Sequence, residues 1–313
     1  LAVPTKWVRL PPNVNEWWSN TVEIFKSLVE QAGHDIVKRI RGISISSHTV
    51  TMLPVDAEGN PLRNGITCQD SRSIEELHYI VETIGYDRFV KIVGGRPAVA
   101  FLPNKILWFK KHEPELFAKT VCFLQASSFI NYKLTAKMTM DIDQATRTQC
   151  MDISTMEWSK EIGDVIGVDL DAMLPKPRLV DEIIGFVTEE AAEETGLEEG
   201  IPVIAGCSDA MASMHATGMS RLGEAGESSG TTSLVFVGSD TKSAPDIPVV
   251  TKPCTIDGMP WIFDAPIQAT GASLKWFIEK MAAEEVAYAK EHDLNIYTYL
   301  NELALESKPG AGG

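Results

Sequence analysis

The chain lacks much of what several protein classes require. Its five cysteines, Cys68, Cys122, Cys150, Cys207 and Cys254, stand far apart with no C-x-x-C pair. Such spacing argues against a disulfide framework, and they read as reduced thiols of a cytoplasmic chain. No apolar run approaches the ~18 residues of a membrane span, and the opening LAVPTKWVRLPP has neither the charged nor the apolar region of a signal peptide. No membrane partner is expected. No basic run offsets a net charge of −15, so a nucleic-acid partner, which needs a clustered positive footprint, is not expected either. A P-loop, G-x-x-x-x-G-K-[ST], and a zincin H-E-x-x-H are both missing, which removes two further enzyme classes. No short repeat and no low-complexity segment occurs.

What remains is an ordinary globular composition, 44% hydrophobic and 23% charged over 313 residues. That length is enough for two cores. Residues 15–32 place Trp18, Val22, Phe25, Val29 and Ala32 on one helical face, with Gly33 as terminator. In IRGISISSH, Ile43 and Ile45 alternate with polar neighbours as in a strand. VTMLPVDAEGNPLRNGITC reads as a hairpin around DAEGNP. Helical patterns follow in SIEELHYIVETIG and in PNKILWFKKHEPE, and TVCFLQASSFINYKL reads as a strand and then a helix. TEEAAEETG is a short helix between Thr188 as N-cap and Gly196 as terminator. GIPVIAG is a buried strand, SDAMASMHATG a helix opening on Ser208 and Asp209, and GEAGESSGTTSLVFVGS a strand, tight turn and strand. ATGASLKWFIEKMAAEEVAYAKEH is helical again. Strands interleaved with helices, plus hairpins, predict mixed-sheet α/β layers.

Five stretches occur in a telling order: GISISSHTVTMLPVDAEGNPLR, GITCQDSR, PNKILWFKKHEPELFAK, IPVIAGCSDAMASMHATG and GESSGTTSLVFVG. In that order they resemble the FGGY carbohydrate kinases, most of all their xylulokinase-like members. The resemblance implies an actin/hexokinase-like (ribonuclease H-like) two-domain fold. Residues 1–219 would form a sugar-binding domain lacking its first hairpin, and residues 220–313 the start of a nucleotide-binding domain. It further implies transfer of the γ-phosphoryl group of ATP, with Mg²⁺, to a sugar hydroxyl. A homodimer is left open.

Such chemistry needs a carboxylate to take the hydroxyl proton and preorganised donors for the phosphoryl oxygens. By the resemblance, Asp209 in GCSDA is the base, and a helix N-terminus would favour its ionised form; a plain first-turn acid is the competing reading. SSGTTS matches the turn that meets the ATP phosphates, with Gly230, Thr231 and Thr232 as contacts and Gly271 as a further one. The bland reading of that segment is a surface hairpin. For the sugar, the resemblance singles out Ser47 and His48 in SSH, and Asp70 and Arg72 in QDSR. Asp70 and Arg72 could equally form an internal ion pair that shapes the pocket, and His48 a structural histidine. His34, His78, His112, His215 and His292 show no ligand spacing. No residue is assigned to a metal.

Two departures qualify the resemblance. Cys68 stands where many xylulokinase-like members have tryptophan, and Ala210 where they have asparagine, which opens the substrate to other ketoses, glycerol, gluconate or other polyols. The family's opening D-x-G-T hairpin and closing glycine-rich adenine segment are not in the sequence. These 313 residues alone are therefore expected to be inactive. A non-catalytic sugar-binding relative is the alternative from another class.

Overall fold

The computed structural model describes residues 13–230, 233–242, 250–256, 258–267, 270–308 and 310. The principal elements run as helix α1 (Val14–Ala32), strands β1 (Ile43–Ser47), β2 (Thr51–Val55) and β3 (Ile66–Thr67), and helices α2 (Ile74–Ile84) and α3 (Leu102–His112). Strand β4 (Cys122–Leu124) and helices α4 (Ala126–Thr135) and α5 (Ile142–Arg147) follow. Next come β5 (Ile183–Phe186), β6 (Pro202–Ser208), helix α6 (Asp209–Ala216), and strands β7 (Ala225–Ser229), β8 (Ser233–Ser239), β9 (Val250–Ile256) and β10 (Met259–Ile267). Helices α7 (Thr270–Lys280), α8 (Ala283–Glu291) and α9 (Ile296–Leu305) come last. By compactness the chain divides into one unit reaching to Gly226 and including Phe236–Ala265, and a second made of Glu227–Val235 and Pro266 onward.

In the first unit, β2 is the wall between two hydrophobic cores. Its neighbours β3 and β4 pair antiparallel on either side, with Thr51 opposite Thr67 and Leu53 opposite Leu124. Successive side chains of a strand point to opposite faces. Met52 and Phe123 therefore join a core with Ile80, Phe89, Ile106 and Phe109. Leu53, Val55 and Leu124 join another with Val14, Trp18, Leu134 and Val203. Each such fully buried side chain stabilises the fold by about 1.5–3 kcal/mol. The DAEGNP turn forms as expected: Asp56 accepts from the amides of Glu58 and Asn60 at 3.1 and 2.7 Å.

The sheet that positions the candidate site has the order β1, β6, β5. Strand β1 runs parallel to β6, and its register shifts between Ser44 and Ser46. The cause is Gly206. Its φ is +80°, and a Cβ there would lie 2.2 Å from the Ile45 carbonyl oxygen. Only glycine fits this close approach. The shift leaves Ser47 opposite Ser208, so β1 and β6 end side by side. Local signals elsewhere hold as well: Gly33 closes α1 with φ +79°, and Thr188 accepts from the Ala191 amide at 3.2 Å. Of the α1 stripe, Ala32 is exposed rather than packed.

In the second unit, Gly230, which follows β7, is tied to the start of α7. The Gly271 amide donates to the Gly230 carbonyl at 3.0 Å, and the hydroxyls of Ser233 and Thr270 share a hydrogen bond of 2.8 Å.

Candidate active site

Two parallel strands that end together leave their last side chains on one rim, the usual place for a ligand in an open α/β sheet. Strand β6 ends on Ser208, whose hydroxyl accepts from the Met211 amide at 3.2 Å and so caps α6. Asp209 is the first residue of that helix, and it is exposed at the positive end of the helix dipole. Beside it, β1 delivers Ser47 and His48. The His48 ring shares a 2.8 Å hydrogen bond with the Thr51 hydroxyl and sits edge-on to Trp17 at 6.1 Å. Desolvation of the ring holds its pKa below the ordinary histidine value, and the nearby charge of Asp209 opposes that shift. Ser47 and Ser208, the residues just before His48 and Asp209, are register partners, which brings the latter two to one rim.

Ser47 behaves differently. Its hydroxyl donates to the His48 carbonyl at 3.1 Å and accepts from the Ser127 amide and the Gln144 side chain at 3.2 Å each. It braces the rim from within.

Behind Asp209 lies a buried charge network that the sequence did not announce. Asp143 on α5 is fully buried. One of its oxygens accepts from the Ser208 amide at 3.0 Å and from the Ser208 hydroxyl. The other pairs with Arg147 Nε at 2.8 Å. Arg147 reaches on to Asp264 at 3.4 Å, and Asp264 pairs with buried Lys252. Burial alone would raise the Asp143 pKa, but Arg147, Lys252 and Ser208 outweigh it and hold this carboxylate below its ordinary value. Burial and the charge of Asp143 push neighbouring Asp141 well above the ordinary carboxylate range. Burial, reinforced by Arg147, lowers Lys252 to about 8.

A third group lies beyond β3. Arg72 grips Asp70 through Nε at 2.9 Å and Nη2 at 2.8 Å, and its guanidinium stacks over Trp108 at 4.8 Å. The ion pair foreseen as one reading of QDSR is present. Beneath it, Lys105 of α3 is completely buried. Its ammonium donates to the carbonyls of Thr67 at 2.7 Å and Ala100 at 2.5 Å. Because Thr51 is both the partner of His48 and the register mate of Thr67, this group adjoins the rim.

Residues 5–215 match the N-terminal domain of the FGGY family of carbohydrate kinases. The chain belongs to that family. It is 32% identical to the xylulose kinase of Bacillus subtilis (strain 168) over 199 residues, 63% of this chain and 39% of that protein. It is 24% identical to the autoinducer-2 kinase of Escherichia coli (strain K12) over 322 aligned residues, covering 100% of this chain and 59% of that one. The fold matches the xylulose kinase of Rhodospirillum rubrum with a TM-score of 0.87 at 24% identity, over 98% of this chain and 61% of the other. It also matches the glycerol kinase of Plasmodium falciparum with ADP, at a TM-score of 0.79 and 19% identity, over 93% and 60%. At these identities the structural likeness is one of fold, the actin-like α/β architecture. The chain spans about six-tenths or less of the length of these relatives.

In this FGGY chain, Ser47, His48, Asp209, Asp70 and Arg72 all lie in the first unit, grouped as described above. Gly230 and Gly271 of the second unit are joined by their backbone hydrogen bond. Thr231 and Thr232 lie outside the described residues. Sequence reading also passed over the G-x-S-x-G spacing of Gly226–Gly230. Ser228 lies within β7, and the next described element is strand β8 rather than a helix, so the strand-to-helix context of a hydrolase nucleophile is missing among the described residues. Lys105, Trp108, Asp143 and Arg147 were missed as well. Lys105 left a trace: it shares the i, i+3, i+4, i+7 face of Leu102, Ile106 and Phe109, where a charge is out of place. Among the described residues, no cluster of three or more His, Cys, Asp or Glu side chains could hold a metal, and no helix is long and apolar enough to cross a membrane.

Proposed function

We propose that the full protein is an ATP-dependent carbohydrate kinase that phosphorylates a hydroxyl of a short-chain ketose of the xylulose type, with Asp209 as general base. The observation that carries this reading is an exposed carboxylate at a helix N-terminus, on the rim where β1 and β6 end. Its position is fixed through Ser208, which Asp143 grips by both amide and hydroxyl. A base must be ionised and correctly aimed, and the helix dipole and this capping arrangement serve those two needs. In this reading Asp209 takes the proton of the attacking hydroxyl, and the acceptor's other hydroxyls bond to His48, Asp70 and Arg72. A pocket built to pair hydroxyls discriminates strongly, because each one left unpaired is costly.

The nucleotide phosphates would lie against Gly230, Thr231, Thr232 and Gly271, in a nucleotide domain beginning near residue 220. Mg²⁺ on those phosphates would neutralise charge developing in transfer. The described side chains do not form a metal cluster, so no residue of this chain is assigned to the ion and no step is drawn through it.

A second reading of the acceptor is favoured by one observation: the autoinducer-2 kinases match this chain from end to end. Coupled ADP release by the full protein, across D-xylulose, autoinducer-2, glycerol and gluconate, tests the proposal. One of the first two should stimulate release well above the sugar-free rate. Binding of a sugar with no stimulated release by any of the four would instead mark a non-catalytic sugar-binding relative.

A further inference from the structure

We propose that Lys105 is a positioning residue for the acceptor site, holding the Thr67–Arg72 segment in place with help from Trp108. The proposal rests on the reading of that segment as a sugar-binding wall.

Strand β3 is two residues long, so the ladder stops at Thr67 and the residues carrying Cys68, Asp70 and Arg72 leave the sheet at once. Their support comes from α3. The buried Lys105 ammonium reaches the Thr67 carbonyl, which also accepts from the Asp70 amide at 3.1 Å. The same ammonium holds the Ala100 carbonyl and so joins two loops that no strand connects. Trp108, three residues on and hence on the same helical face, carries the guanidiniums of Arg72 at 4.8 Å and Arg63 at 5.7 Å. Arg72 in turn grips Asp70.

The charge of Asp70 acts on Lys105, but that carboxylate is paired with Arg72. A buried lysine whose hydrogen bonds go to two carbonyls is a costly way to fill an apolar helix face, since desolvating its charge is unfavourable. An apolar residue would pack there without that cost but could not hold Thr67. The ammonium therefore matters for the loop it holds, and that loop bears the acceptor-binding side chains.

The test is Lys105→Met in the full protein, with Trp108→Leu as a second variant that spares the buried ammonium. Amide hydrogen exchange is measured alongside initial rates with D-xylulose and ATP. For Lys105→Met, exchange across residues 67–72 is expected to quicken, and KM for the sugar to rise about tenfold, one lost charge-assisted bond. Both kcat and KM for ATP should stay within about twofold, a pattern that marks lost acceptor binding. Trp108→Leu should shift the same two readouts in the same direction. Unchanged exchange at 67–72 overturns the proposal. So does a fall in apparent kcat with both KM values unchanged, the signature of a smaller folded fraction. If the wild-type protein phosphorylates no sugar, the kinase reading fails, and the exchange measurement still decides whether Lys105 holds the loop.

Discussion

Arg147→Met would break the buried network behind Asp209 at its centre. In the folded protein Arg147 Nε lies 2.8 Å from Asp143, with side-chain exposures of 12% and 0%. Two unit charges at that separation, in an effective dielectric of about 20, attract by about 6 kcal/mol before desolvation is counted. Most of that offsets the cost of taking both ions out of water. Removing one partner leaves the Asp143 charge buried against Ser208 and the more distant Lys252, so the expected loss of stability is about 3–5 kcal/mol. Urea unfolding of the full protein measures it as a fall in midpoint at constant m-value. Adding Asp143→Asn should recover part of the loss, because the uncompensated carboxylate is then gone. A cost for Arg147→Met below about 1 kcal/mol, the range of an exposed pair, would refute the reasoning. So would an Asp143→Asn effect that simply adds to it.

Four further outcomes follow from the same structure. Gly206→Ala should destabilise by at least about 2 kcal/mol, since its φ of +80° and the Ile45 carbonyl both exclude a Cβ; thermal unfolding reads this. Ser208→Ala loses both the α6 cap and the Asp143 bond and should cost about 1–3 kcal/mol in urea unfolding, with kcat falling more than acceptor KM changes. Burial, opposed by Cys68 and Asp70, brings Lys105 down to about 8 from its ordinary 10.5. The unfolded chain therefore holds that proton to higher pH, and stability should rise by about 3 kcal/mol between those two values, visible as the difference between wild type and Lys105→Met across an alkaline series. His48 has its pKa lowered by desolvation, so the stability it permits should be lost as pH falls from about 6.5 toward its folded value. His48→Gln should flatten that acid limb.

Much of the architecture could be read from short-range chemistry. Asp56 and Asn60 announce their turn, Thr188 and Gly196 bound their helix, and Gly33 ends α1, because each acts on backbone groups only a few residues away. The rim was legible in its pieces. SSH and GCSDA could be named as strand ends, and the structure brings them together through the parallel pairing of β1 and β6. That pairing joins residues about 160 positions apart, as in Ser47 with Ser208, and depends on the bulge at Gly206. No periodicity reveals such a contact. Asp143 escaped notice because its i, i+4 spacing to Arg147 is equally that of an exposed helix pair, and its meaning comes from Ser208, 65 residues away. The fate of Ser47 was hidden for a similar reason: whether a rim hydroxyl faces ligand or protein depends on α4 and α5, which supply Ser127 and Gln144. For QDSR the sequence offered an ion pair or sugar contacts. The fork of Arg72 on Asp70 is there, and Trp108 beneath it explains why the fork stands where it does.

The measurement that bears most directly on the account is phosphoryl transfer by the full protein carrying Asp209→Asn, with sugar binding followed separately by calorimetry. The account predicts a loss of kcat of about 10²–10⁴-fold, the contribution of a positioned general base, with sugar affinity preserved. A variant that retains wild-type turnover would contradict it.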